Sequence, residues 1–327
     1  MLYLRVFSPA DTTDAVVDLL REDPNVSALS VQKGAALIPE GDVVTADVAR
    51  EGANAILDGL KALDLHRTGT IHVEAVDTWL SQGGFASERI APGASADAVV
   101  WAQVGNRAYE DTELNWTYVS FMALATLLAG IAILLDSPVL VVGAMVLGPE
   151  FGPIAAVGLA LVRRRGKLLR RALRTLLLGF AVAIAFTFLV GLVLRALGWA
   201  SVADLTADRP GTAFIYTPDK WSFIVAIIAA AAGVLSLTSA RLGGISGVFI
   251  SVTTVPAAGN VGFGLAFGAW AEVRGSLLQL ALNLSGMMLA GWLTLVVQQK
   301  VWARTYERQR RRQLSQSESS SSGSGST

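Results

Sequence analysis

The chain has 327 residues, of which 53% are hydrophobic and 16% charged, and its mean hydropathy of +0.52 is too apolar for an ordinary soluble protein of this size. Its 26 basic and 26 acidic residues cancel, but acidic residues dominate up to Asn115 and basic ones after it, so two differently built halves are expected. There is no cysteine, which excludes disulfides and thiolate sites, and the histidines, His66 and His72, lie outside every apolar segment, which excludes a histidine-held metal or haem in a membrane.

Residues 1–7 (MLYLRVF) lack the basic start and long apolar core of a signal peptide, so the N-terminal half is expected in the cytoplasm. Residues 2–7 read as a strand. Thr12, Thr13 and Asp14 can cap a helix that Pro24 and Asn25 end. Residues 26–31 alternate as a half-buried strand does, and 42–48 read as a third strand. A helix is expected over 51–65, with Ala53, Ile56, Leu57, Leu60 and Leu63 at helical spacing, and a fourth strand over 69–76. The order βαββαβ is the split pattern of ferredoxin-like folds, so residues 1–80 read as a small α/β domain of that kind. Gly83, Gly84, Pro92 and Gly93 mark 81–96 as a linker, followed by a juxtamembrane helix within 97–115.

Six membrane spans follow, at about 116–135, 138–162, 173–197, 221–239, 243–268 and 276–297, each near the roughly 20 residues a bilayer needs. Trp116, Trp199, Trp221, Trp270 and Trp302 fall near span ends, as an aromatic belt does. Basic residues collect between spans two and three (from Arg163 to Arg174), at Arg241, and after span six (from Lys300 to Arg312), all on one side if the spans alternate. The positive-inside rule makes that side the cytoplasm, with both termini there and the chain in the inner membrane. The 163–174 cluster is expected on anionic lipid headgroups rather than nucleic acid. The membrane part is taken as 116–299 and the tail as 300–327, basic and then Ser/Gly-rich and disordered.

Spans one to three and four to six superimpose in order: a smooth span, a Gly/Pro-broken span, a smooth span. Trp116 and Trp221 open the two groups, and residues 166–169 (GKLL) match 275–278 (GSLL). Three is odd, so the second group runs in the opposite sense and the repeats are inverted. Such repeats place binding sites where the broken helices meet. The first break carries Gly148, Pro149, Glu150, Gly152 and Pro153; the second carries Thr253, Thr254, Pro256 and Asn260.

The run from Leu134 to Pro149 (LLDSPVLVVGAMVLGP), with Gly152 and Pro153 after it, resembles the domain of unknown function 389 family of hydrophobic membrane proteins. Residues 247–252 (GVFISV) leading to Pro256 resemble that family's second signature. The chain departs from the pattern at Glu150, where an uncharged residue is usual, and at Ala257, where a second proline is. The resemblance spans roughly 116–297 and implies a polytopic, transporter-like protein without a stated substrate.

Glu150 reads as the one carboxylate well inside a span. Burying it is costly, so it must face a wet cavity or the bundle interior. A carboxylate beside unwound backbone suits a cation, a proton or an amine-bearing solute. Thr253, Thr254 and Asn260 add neutral oxygens and an amide at the second break. Asn283 reads as interhelical hydrogen bonding, and Asp136 as a solvated helix cap. Pairs of glycines four apart (148/152, 243/247 and 264/268) suit close helix packing or a homo-oligomer interface. There is no His-Glu-x-x-His motif, P-loop or paired intramembrane carboxylates, so no enzyme, metal or cofactor is expected. The leading expectation is a secondary transporter or channel for a small polar solute or ion, with the N-terminal domain regulating it. The other is a membrane-anchored sensor or scaffold that moves nothing.

Overall fold

The computed structural model describes residues 1–91, 98–216, 220–239 and 253–323. The chain divides into two compact units. One is built on Met1–Val104; the other begins at Gly105 and takes in the apolar helices.

In the first unit, β1 (Leu2–Ser8), α1 (Thr13–Arg21), β2 (Val26–Leu37), β3 (Glu40–Val48), α2 (Ala53–Ala62), the single turn α3 (Leu65–Thr68) and β4 (Thr70–Ala75) follow in order. The sheet runs β2-β3-β1-β4, and every neighbouring pair is antiparallel. Alternation in β1 buries Leu2, Leu4 and Val6 on one face. Val16 and Leu20 of α1 and Ile56, Leu57 and Leu60 of α2 cover that face and form one core with it. Val6 lies opposite Val44 on one side and Ile71 on the other, which locks the register, since a one-residue slip would turn these side chains to solvent.

Asp42 ties down the irregular end of the β2–β3 hairpin, accepting the Gly34 N–H at 2.7 Å beside the Lys33 ammonium at 3.3 Å. The Gly34 N–H, with help from Thr13 and Lys33, holds the Asp42 carboxyl below its usual range. A lowered folded-state value means stabilisation that is complete above the ordinary aspartate range and lost as pH falls through the lowered one. Hydrogen-exchange protection in this hairpin is therefore expected to drop on acidification below the usual aspartate range, and Asp42→Asn is expected to flatten that drop.

Within the expected linker, the described residues 81–91 depart from the sequence reading. Residues Gln82–Ile90 form a helix, α4, whose cap is the Ser81 hydroxyl accepting from the Gly84 N–H at 3.1 Å. Gly84, one of the residues that suggest a linker, serves packing here. A Cβ at Gly84 would lie 2.7 Å from the Trp79 ring and 2.9 Å from Met1. Phe85 rests on Trp79 at 4.6 Å between ring centroids. Next comes α5 (Trp101–Asp111).

The second unit holds α6 (Trp116–Leu134), α7 (Pro138–Leu147), α8 (Phe151–Val162), α9 (Gly166–Ala196), the short α10 (Val202–Thr206), α11 (Lys220–Thr238), α12 (Thr254–Phe267) and the start of α13 (Trp270–Gly323). Among the described residues four helices are long and apolar enough to cross a membrane: α6, α9, α11 and the 270–301 part of α13. The pair α7 and α8, bent by 54° at a short break, makes a fifth if it is one span. The first part of the expected fifth span, 243–252, lies outside the described residues; its second part is α12. The glycine pair 243/247 and Arg241 lie there too.

Large apolar side chains such as Leu177, Leu189 and Val193 of α9 and Ile228 of α11 point outward, as helices surrounded by lipid require. Trp116, Trp199, Trp221 and Trp270 stand exposed at or near helix ends. α13 runs on to Gly323.

Inside the unit, α12 packs against both α6 and α9. Gly259 makes the first approach possible: a Cβ there would lie 2.6 Å from the Thr126 carbonyl oxygen and 2.9 Å from the Gly130 nitrogen. Of the sequence's close-packing glycines, Gly264 faces Val273 of α13, and Gly268 ends α12 with φ +77°.

Candidate functional site

The first break is written locally. The Ser137 hydroxyl caps α7 by accepting from the Leu140 N–H at 3.4 Å, and Pro138 opens the helix where its missing N–H costs nothing. The helix ends at Gly148, whose backbone turns extended, and Pro149 has no N–H to continue the ladder. Glu150 is the N-cap of α8, and Pro153 is tolerated in the first turn. Glu150 is thus held at the positive end of a helix dipole.

Its carboxylate is wholly buried, and the Thr254 hydroxyl donates to Glu150 Oε1 at 2.7 Å. Thr254 is the first residue of α12. The first break therefore meets the start of α12 through these side chains, and the carboxylate lies beside the N-terminal ends of both α8 and α12. Gly148 completes the contact: a Cβ there would lie 2.3 Å from Glu150 Oε2 and 2.7 Å from Val255.

Thr253, the residue before α12, accepts from the Asn283 amide and, at 3.4 Å, from the Gln279 amide. Asn283 therefore joins α13 to α12, as its reading as interhelical hydrogen bonding expects. Pro256 is buried in the first turn of α12.

Asn260 belongs to a separate cluster. Its amide N–H₂ donates to Glu272 Oε2 at 2.7 Å and to the Ser276 hydroxyl at 2.8 Å. Glu272 Oε1 in turn pairs with Arg209 Nη2 at 2.9 Å. Arg209 is only 2% exposed, and its guanidinium sits 5.0 Å above the Tyr216 ring. This corrects the reading of Glu150 as the one buried acid: Glu272 is also buried, and the charge that offsets it comes from a loop 63 residues away in sequence (272 minus 209). Asp136 is also not a solvated cap. Its carboxylate accepts the Gly211 N–H at 3.2 Å and the Thr212 hydroxyl at 2.9 Å.

Below the first break a cavity of about 370 Å³ is lined by Gly148, Pro149, Gly152 and Tyr118, with Glu110, Asp111 and Glu113 among its acidic residues and Arg107 as a base. Asp111 rests directly on Gly152, where a Cβ would lie 2.8 Å from the aspartate's own. Burial pushes the Asp111 carboxyl above its usual range; Arg107 opposes the shift and Glu110 adds to it. Glu113 is drawn toward Arg171 at 4.0 Å. Sequence reasoning missed Asp111, Arg209, Glu272, Ser276 and Gln279. The acidic run at 110–113 just before the first span was the available signal for Asp111. Arg209 and Glu272 look like ordinary loop and helix-end charges until the chain is folded.

These features fit a class: a chain with several helices long and apolar enough to cross a membrane, and a buried carboxylate at the break between α7 and α8. Residues 145–289 match the model of the domain of unknown function 389 (DUF389), the family that the two span motifs resemble, so the chain carries a DUF389 region. An uncharacterized protein of Methanocaldococcus jannaschii is 26% identical over 200 residues, 59% of this chain, and this chain spans 59% of that relative's length. No solved structure matches the chain.

Proposed function

We propose that the protein is a secondary transporter or channel for a small polar solute or ion. Its site lies between the 148–153 and 253–260 breaks, with Glu150 as the ion or proton ligand. The observation that carries this reading is the hydrogen bond from Thr254 to the buried Glu150 carboxylate. A plain membrane anchor needs no broken helices and no buried carboxylate, because each is costly in lipid unless it lines a functional cavity. The acidic cavity under Gly148 and Gly152 supplies a wet approach to the break. The same reading takes the apolar helices as six spans in two inverted repeats in the inner membrane, with basic segments and both termini cytoplasmic and in contact with anionic lipid. It takes the N-terminal βαββαβ unit, with its antiparallel order, as a ferredoxin-like regulatory domain, and it gives the chain no catalytic role.

The test is a thermal-shift screen of ions and small polar solutes on the full chain in detergent, run beside Glu150→Gln. Glutamine keeps an acceptor for Thr254 but removes the charge. A solute present at 100 times its Kd should stabilise the native chain by about 2.7 kcal/mol. That gain is expected to vanish in Glu150→Gln, and flux of the same solute into vesicles to fall at least ten-fold. A ligand that stabilises both proteins equally would remove Glu150 from the site and favour the sensor reading.

A further inference from the structure

The cluster around Glu272 contains an arrangement that the first break does not. The Asn260 amide nitrogen stands between two oxygens, Glu272 Oε2 at 2.7 Å and Ser276 Oγ at 2.8 Å. The amide's own oxygen, Oδ1, is buried and has no hydrogen-bond partner among the described residues. An amide can exchange its nitrogen and oxygen by rotating half a turn. That rotation would leave three oxygens, one from a carboxylate, facing a single point, an arrangement that is repulsive when empty and favourable around a cation. The positive charge present is Arg209, which reaches Glu272 from the loop after α9. It is poorly satisfied: its Nε and Nη1 are buried without acceptors among the described residues.

The segment carrying Arg209 is built as one piece. The Arg209 carbonyl accepts from the Thr212 N–H at 3.1 Å, and Asp136 grips Gly211 and Thr212. Leu205, Thr212 and Ile215 of this segment are fully buried. Gly275 lets the Tyr216 carbonyl reach α13, since a Cβ there would lie 2.2 Å from that oxygen.

We infer that Glu272 Oε2, Asn260 and Ser276 form a site for a monovalent cation, that Arg209 holds the same carboxylate from Oε1 as a tethered counter-charge, and that residues 201–216 are the lid that carries Arg209. A single carboxylate matches a single positive charge; no cluster of three acidic or histidine ligands for a divalent metal occurs among the described residues. A soluble cation and Arg209 then compete for Glu272, and the soluble cation opens the lid. This goes beyond the transport reading, whose ligand is Glu150, and its test needs no flux.

The natural absence of cysteine makes the test direct. Ile215→Cys places one thiol on the buried side of the lid itself, in the full-length protein in detergent. Its rate of labelling by a maleimide is followed while choline chloride is replaced by sodium or potassium chloride at constant ionic strength, so that general screening does not change. The expected result is slow labelling in choline and a saturable rise of at least five-fold with one small cation. Adding Glu272→Gln should give fast labelling in every salt. Adding Ser276→Ala, a small uncharged change, should shift the half-maximal cation concentration upward at least three-fold.

Slow labelling that ignores both the cation and Glu272→Gln overturns the inference. Fast labelling in Glu272→Gln with no cation response in its parent overturns the cation site and leaves a structural clasp. Should Glu272→Gln fail to fold, the parent and Ser276→Ala still decide: no cation response in the parent, or an identical one in both, counts against the site. A positive result without flux of any solute would sink the transport reading alone.

Discussion

Arg209→Ala is expected to lower the stability of the second unit by about 3–5 kcal/mol, the usual cost of leaving one partner of a buried ion pair without the other. The pair qualifies because its side chains are 2% and 11% exposed, so solvent does little to screen the charge left on Glu272. The loss also removes the cation above the Tyr216 ring. Arg209→Met combined with Glu272→Met is expected to recover most of it, since the two apolar side chains carry no charge to desolvate. Unfolding in detergent against a denaturant series checks both, in choline chloride so that no small cation takes the vacated place. Equal losses in the single and double variants would show that packing, not charge, is what Arg209 supplies.

Gly259→Ala is expected to cost less stability but more function, for a steric reason. The added methyl would fall 2.6 Å from a carbonyl oxygen and 2.9 Å from an amide nitrogen of α6. Both are backbone atoms of a continuous helix and cannot rotate away, so α12 must retreat. Overpacking of this kind costs about 1–3 kcal/mol. Its functional effect is expected to be larger than its stability effect, because α12 carries Thr254 at its start. A retreat of even half an ångström strains a 2.7 Å bond to Glu150. The expected outcome is a modest drop in melting temperature with loss of any response that depends on Glu150. Gly268→Ala is the useful contrast: nothing lies within 4 Å of its added methyl, and its cost is the conformational one of φ +77°.

Much of this was legible without a fold. The apolar runs, the tryptophans at their ends and the Gly/Pro break at 148–153 are local properties of a chain that must satisfy its own backbone in lipid. So are the Ser137 cap, the Pro138 start and the alternation that buries Leu2, Leu4 and Val6. Glu150 stood out because a charge in an apolar run is costly wherever it is found. What the sequence hid is where charges end up once segments far apart are packed together. Glu272 looks like the first turn of a helix and Arg209 like a solvated loop. Their burial depends on the loop folding back over α12 and α13, which no local pattern records. The meeting of Glu150 with Thr254, 104 residues away, is of the same kind. Gly84 misled, because it reads as a linker and serves as a contact. The sequence by itself therefore determined which segments are apolar and where they break, because these depend on each residue's own solvation and backbone. Only the tertiary structure decided which buried polar groups share a partner, because that depends on the path of the whole chain.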